Sequence, residues 1–144
     1  MRKKIRGAVF LVLLLVMIMP MGVFANEVNS VEAPSVSPRW SYTSSTSEIL
    51  TISSDGTARM TSVVTGYKGT TTKIKVIIDL QKYSGGSWKR VKTYMDVEDT
   101  WYALIEHTYS GLDKGYTYRM KCTYTVYSGS NYDKFTLYSK QVTY

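Results

Sequence analysis

The run Gly115–Tyr127, GYTYRMKCTYTVY, constrains this chain more than any other stretch. Tyr116, Tyr118, Met120, Cys122, Tyr124 and Val126 share one parity, and Thr117, Arg119, Lys121, Thr123 and Thr125 share the other. An extended strand turns successive side chains to opposite faces. The alternation therefore predicts a strand with one face in a core and one in water. No helical period follows residue 25, so the chain has to build its core by pairing strands and packing sheets.

The rest of the chain repeats this pattern in shorter pieces, with turn signals roughly every 8 to 14 residues. The expected strands are Ile49–Ser53, Thr57–Thr65, Lys73–Tyr83, Trp88–Met95, Thr100–Tyr109, Gly115–Tyr127 and Lys134–Thr143. Ala58, Met60, Ser62 and Val64 make one inward stripe, and Ile74, Val76, Ile78 and Leu80 make the cleanest one. Tyr116, Tyr118 and Tyr124 are expected on the inward face of the opening run, and Phe135 and Leu137 on that of the last strand. For Thr100–Tyr109 the parity of Trp101, Ala103 and Ile105 competes with that of Tyr102 and Leu104, and the facing stays open.

Asp55-Gly56 is a hairpin signal, since that pair supplies the positive φ angles of a tight turn. Ser84–Ser87 joins two strands into a hairpin, Gly66–Thr72 reads as a loop, and Ser128–Asn131 as a turn. Asp96–Asp99 reads as a solvated acidic turn. Trp40 and Tyr42 stand beside a Ser/Thr run, Ser41–Ser47, which weakens any strand there. Seven antiparallel strands in about 100 residues fit a single all-β sandwich, immunoglobulin-like or fibronectin-III-like.

Ahead of this domain, Arg2, Lys3, Lys4 and Arg6 precede an apolar stretch from Ala8 to Met19, and Val23-Phe24-Ala25 offers a small-residue cleavage site. This is the pattern of a secretory signal peptide, a signal helix over residues 1–25. Its rival is a membrane anchor, for which Ala8–Ala25 approaches the ~20 residues needed. Pro20, Gly22 and the Val-x-Ala end favour cleavage, so the membrane is met only through the signal. Residues 26–38, NEVNSVEAPSVSP, hold two of the three prolines and read as a flexible leader. Residues 39–144 form the sandwich. The expectation is an exported, released protein.

Four of the 18 basic residues and none of the 11 acidic ones precede Asn26, so the rest carries 14 basic against 11 acidic side chains, a net of +3. That balance gives no reason to invoke nucleic acid. The remaining ~119 residues suffice for one core without staples, and a monomer is expected. Cys122, the only cysteine, cannot form an internal disulfide. On the inward parity it reads as a small buried hydrophobe, with intermolecular pairing as the alternative.

Chemistry has few carriers. His107 is the single histidine and no G-x-S-x-G element occurs, so neither a catalytic triad nor a zinc site is expected. Asp96, Glu98 and Asp99 lie close enough to suggest Ca²⁺, but no glycine shapes a loop around them and an acidic turn is the preferred reading. No metal, cofactor or catalytic residue is assigned, and the chain is not read as an enzyme.

Leu112-Asp-Lys-Gly-Tyr-Thr-Tyr118 resembles the Leu…Tyr corner that enters strand F of fibronectin-III domains. The resemblance implies that the Tyr118 hydroxyl bonds back to the chain upstream. The Cys…Trp…Cys pattern of antibody-type domains is missing. More widely, ILTISSDGTARMTSVVTGY, KIKVIIDLQKYSGGSWKRVKTY and KGYTYRMKCTYTVY resemble a family of small exported proteins of Gram-positive bacteria whose function is unknown. That likeness covers residues 40–144. It implies secretion and an all-β fold, and no site residues.

All 13 Tyr and all three Trp follow residue 25. Tyr and Trp combine a stiff apolar face with one polar atom, which suits cores and binding surfaces alike. Tyr127 takes the outward parity, and Tyr83, Trp88 and Tyr132 stand at turn ends, so these four are the candidate binding residues. The preferred function is a secreted, non-enzymatic sandwich that binds a cell-wall glycan or a protein. The alternative is an antimicrobial or toxin-like protein acting on neighbouring bacteria. N-terminal sequencing of the released protein should find Asn26 first; retention in the membrane would contradict the export reading.

Overall fold

The structure, a computed structural model, describes residues 40–144. The expected signal segment 1–25 and leader 26–38 lie outside the described residues. Among those residues the chain forms β1 (Thr43–Ile52), β2 (Ala58–Gly66), β3 (Lys73–Ser84), β4 (Ser87–Glu98), β5 (Tyr102–Tyr109), β6 (Thr117–Ser128), β7 (Asn131–Tyr138) and β8 (Val142–Thr143). All pairings are antiparallel. One sheet has the order β1-β2-β5 and the other β4-β3-β6-β7, with β8 paired to the start of β6. The fold is an all-β sandwich. β4 stays beside β3 in the larger sheet, whereas the antibody constant-type order places the fourth strand with the first, second and fifth.

Parity explains the core. Ile74, Val76, Ile78 and Leu80 of β3 and Met120, Cys122, Tyr124 and Val126 of β6 are fully buried, as are Ala58, Met60, Ser62 and Val64 of β2. Burying one such aliphatic side chain contributes roughly 1.5–3 kcal/mol, and two facing stripes sum these contributions along both sheets. β3 and β6 hold the centre of the larger sheet in unbroken register from Lys73 opposite Tyr127 to Lys82 opposite Tyr118. One polar triad spans the core. Tyr124 donates its hydroxyl to Glu48 Oε1 at 2.7 Å and accepts from Ser62 Oγ at 2.9 Å.

The facing of β5 is settled by its pairing with β2: Ala103 and Ile105 lie opposite Val64 and Ser62 and are buried, while Tyr102 and Leu104 face solvent. Tyr118 closes a tyrosine corner. Its hydroxyl donates to the Asp113 carbonyl at 2.9 Å and accepts from the Asp113 amide at 3.0 Å.

Several expectations are corrected. Tyr116 is exposed and not part of the inward face, because Gly115 takes φ +83° and β6 begins one residue after Tyr116. The Tyr116 ring instead meets Lys82 Nζ at 4.5 Å. The first strand starts at Thr43, inside the Ser/Thr run. Threonine's β-branch suits a strand, and the Asp133 carboxylate accepts the amides of Ser41 and Tyr42 and so fixes the entry to it.

The acidic segment is not a turn, since Asp96 and Glu98 pair with Val76 and Ile74 within β4. An edge strand tolerates and uses such charges. At Asp55-Gly56 only the glycine takes a positive φ, +80°. The Asp55 carboxylate accepts from the Thr57 amide at 3.0 Å, which satisfies the turn without a second left-handed residue. The closing strand is broken in two at buried Ser139. This residue bonds Met120 through both its amide, at 3.1 Å to the carbonyl, and its hydroxyl, at 2.9 Å from the amide.

Tyr118→Phe leaves the Asp113 amide and carbonyl without their partner. It should lower the unfolding free energy by about 1–3 kcal/mol in urea denaturation; an unchanged midpoint would show that the corner bears no load.

Candidate functional site

The inward faces are consumed by the core, which leaves the outer faces and the edges. On the larger sheet, the β3–β4 turn has both Gly85 and Gly86 at positive φ, +60° and +77°. A two-residue turn of this hand matches the strand twist and sets Tyr83 directly opposite Trp88. The β6–β7 turn uses Gly129 at φ +59° and sets Tyr127 opposite Tyr132. The first pair has ring centroids 5.2 Å apart and the second 5.7 Å.

All four sequence candidates thus lie on one sheet face, as two pairs. The pairs stand at opposite ends of β3, whose ten-residue separation spans ~33 Å. Tyr83 and Tyr132 are exposed, while Trp88 and Tyr127 are half-buried by ring partners.

Sequence reasoning missed the residues that organise the Trp88 end. The Arg119 guanidinium lies 4.1 Å from the Trp88 ring centroid and 4.2 Å from that of Tyr138, so it is held between two aromatic faces. Its Nε donates to Gln81 Oε1 at 2.9 Å. Trp88 therefore gives one ring face to Arg119 and is less free for a ligand than its turn-end position implies. Parity could have placed Arg119 and Tyr138 on the outward face, since Phe135 and Leu137 read inward. Only the register of β6 against β3 and β7 brings them together.

Charge is segregated onto the same face. Lys73, Lys75, Arg90, Arg119, Lys121 and Lys134 all point outward from the larger sheet. Asp79 is the one carboxylate there; it is buried, accepts from Thr93 Oγ1 and lies 3.2 Å from Arg90 Nε. Lys73 pairs with Asp99 at 3.7 Å. Among the described residues no ion pair engages Lys75, Arg119, Lys121 or Lys134. Residues 40–144 hold 13 basic and nine acidic side chains, so with six and one of these on this face, seven and eight remain elsewhere.

The lone histidine sits at an open edge of the sandwich. His107 Nε2 is 2.8 Å from Asp96 Oδ2, and its ring stacks on Tyr94 with centroids 4.1 Å apart. Tyr94 donates its hydroxyl to the Thr108 carbonyl at 2.9 Å. These contacts tie β4 of one sheet to β5 of the other. A depression of about 200 Å³ beside them is lined by Arg59, Glu106, His107 and Thr108. Two of the three clustered acids turn apart, Asp96 to His107 and Asp99 to Lys73. Among the described residues no three of His, Cys, Asp and Glu gather as a metal ion requires.

Comparison with family models, with characterised proteins and with solved structures finds no match to this chain.

Cys122 offers a check on the inward face. Burial pushes its thiol up to about 12, against a smaller lowering by the neighbouring Tyr124 side chain. A raised pKa means the folded state favours the neutral thiol. That stabilisation is complete below the unfolded value of about 8.5 and is lost as pH rises toward 12. Iodoacetamide at pH 8 should label the folded protein at least about 100-fold more slowly than the urea-unfolded chain; equal rates would place the thiol at the surface.

Proposed function

We propose that the chain is a secreted, non-enzymatic β-sandwich protein that binds a ligand outside the cell, a cell-wall glycan or a protein, through the outer face of its larger sheet. The observation that carries this reading is that Tyr83, Trp88, Arg119 and Tyr138 cluster at one end of that face while Tyr127 and Tyr132 share its other end. Exposed rings there leave apolar surface in water, where stacking on a sugar or a partner side chain regains it. His107 and Asp96 are engaged in holding two edges together, which favours a binding role over a catalytic one. Export rests on the pattern of residues 1–25.

The sandwich itself is proposed to be of the fibronectin-III-like kind, akin to the small exported Gram-positive proteins that the sequence resembles. The 1-2-5 and 4-3-6-7 strand orders and the Tyr118 corner support this.

Purified protein should cosediment with Gram-positive cell-wall sacculi. Trp88→Ala and Tyr138→Ala should each weaken retention about fivefold, the worth of one aromatic contact. No retention on any wall or glycan preparation would sink the glycan form of the proposal.

A further inference from the structure

The outer face of the larger sheet carries more specific information than exposed rings alone. Resting on the reading of this face as the binding surface, we infer that its ligand is an extended anionic glycan, a polymer whose repeat carries carboxylate or phosphodiester groups, with Arg119 as the central anion-recognising residue. Three observations converge on this chemistry.

The first is charge. Six basic side chains share the face with one carboxylate, buried against Thr93 and Arg90, and Asp99 at its edge pairs with Lys73, which leaves Lys75, Arg119, Lys121 and Lys134 without an ion-pair partner among the described residues. The rest of residues 40–144 is close to neutral, so the positive character of the domain belongs to this surface. A single-signed face draws an oppositely charged polymer and holds it through several separated contacts.

The second is the state of Arg119. Both faces of its guanidinium are covered by rings and its Nε is bonded to Gln81, so the group is fixed before any ligand arrives. The Nη edge keeps its N–H donors, and no carboxylate among the described residues pairs with it. A guanidinium fork held in this way matches a carboxylate or phosphate oxygen pair, which a lysine in its place would not reproduce.

The third is layout. Arg119 and Lys121 follow one another on β6, and Lys75 and Lys134 flank Thr125 from the two neighbouring strands. Lys73 lies one row further, opposite Tyr127. At ~3.3 Å per residue the cations mark a band of roughly 25 Å along β6. Thr123 and Thr136 hydroxyls lie within the band, 3.2 Å from each other, and suit sugar hydroxyl groups. A small anion would need one of these positions; the band as a whole fits a chain of them.

The test is equilibrium binding of the purified protein to polygalacturonate, poly(glycerol phosphate), neutral dextran and duplex DNA, each at 50 and 300 mM NaCl. The expected result is binding to one or both anionic glycans, weakened at least about tenfold by the salt step, with none to dextran. The two anionic probes distinguish carboxylate from phosphodiester recognition. Arg119→Lys should weaken binding about tenfold at unchanged net charge, while Arg59→Gln on the smaller sheet should leave it unaltered.

Should Arg119→Lys fail to fold, the double variant Lys121→Gln, Lys134→Gln makes the same comparison through exposed charge and should also flatten the salt dependence. Dextran binding as tight as that of the anionic glycans, tighter binding of DNA, or full affinity in these variants would overturn the inference. Retention on sacculi without binding to either anionic polymer would overturn it while leaving the binding face standing; loss of both would remove the face as well.

Discussion

Tyr124 carries its hydroxyl into the space between the two sheets, where Ser62 donates to it and the Glu48 carboxylate accepts from it. The ring comes from β6 of the larger sheet and its partners from β2 and β1 of the smaller one. An unpaired hydroxyl at that depth costs free energy, so all three strands must hold the register that satisfies it. Burial holds the phenol far above its ordinary range and keeps it a neutral donor. A slip of one residue in β6 would turn Tyr124 to solvent, take Met120, Cys122 and Val126 with it, and bring Arg119 and Lys121 into the core.

That constraint divides the labour of β6. Its even-numbered side chains hold the sandwich, and its odd-numbered ones, held there by the same register, form the centre of the outer face. Arg119 can lie between Trp88 and Tyr138 because β3 and β7 flank β6 at fixed offsets, with Gln81 opposite Arg119 and Tyr138 opposite Lys121. Stability and proposed binding therefore depend on one alternating pattern while touching different residues. The smaller sheet's outer face, with Ile49, Val63 and Leu104, carries Arg59 as its one cation, in the same sheet as Glu106, and has no aromatic ladder.

Much of the fold could be read from alternation. The stripes at Ala58–Val64 and Ile74–Leu80 face the core as their parity demands, and Leu112 with Tyr118 marked a corner that geometry bears out. What alternation does not encode is partnership. Asp96 and Glu98 look like turn residues locally. They join β4 because that strand is at an edge, a property set by the whole sheet. The facing of Thr100–Tyr109 was ambiguous because apolar residues occupy both parities, and only pairing with β2 decides it. The same gap hid the site's organiser: the parity of Arg119 was legible, but its two ring partners come from two different strands.

The claim that function resides on the outer face of the larger sheet is tested most directly by mapping a bound ligand on the folded protein. Amide chemical shifts recorded during titration with an anionic cell-wall polymer should move along Lys75, Gln81, Trp88, Arg119, Lys121 and Lys134, while Val63, Leu104 and Glu106 stay still. Shifts concentrated on the smaller sheet, or around His107 and the depression beside it, would contradict the account.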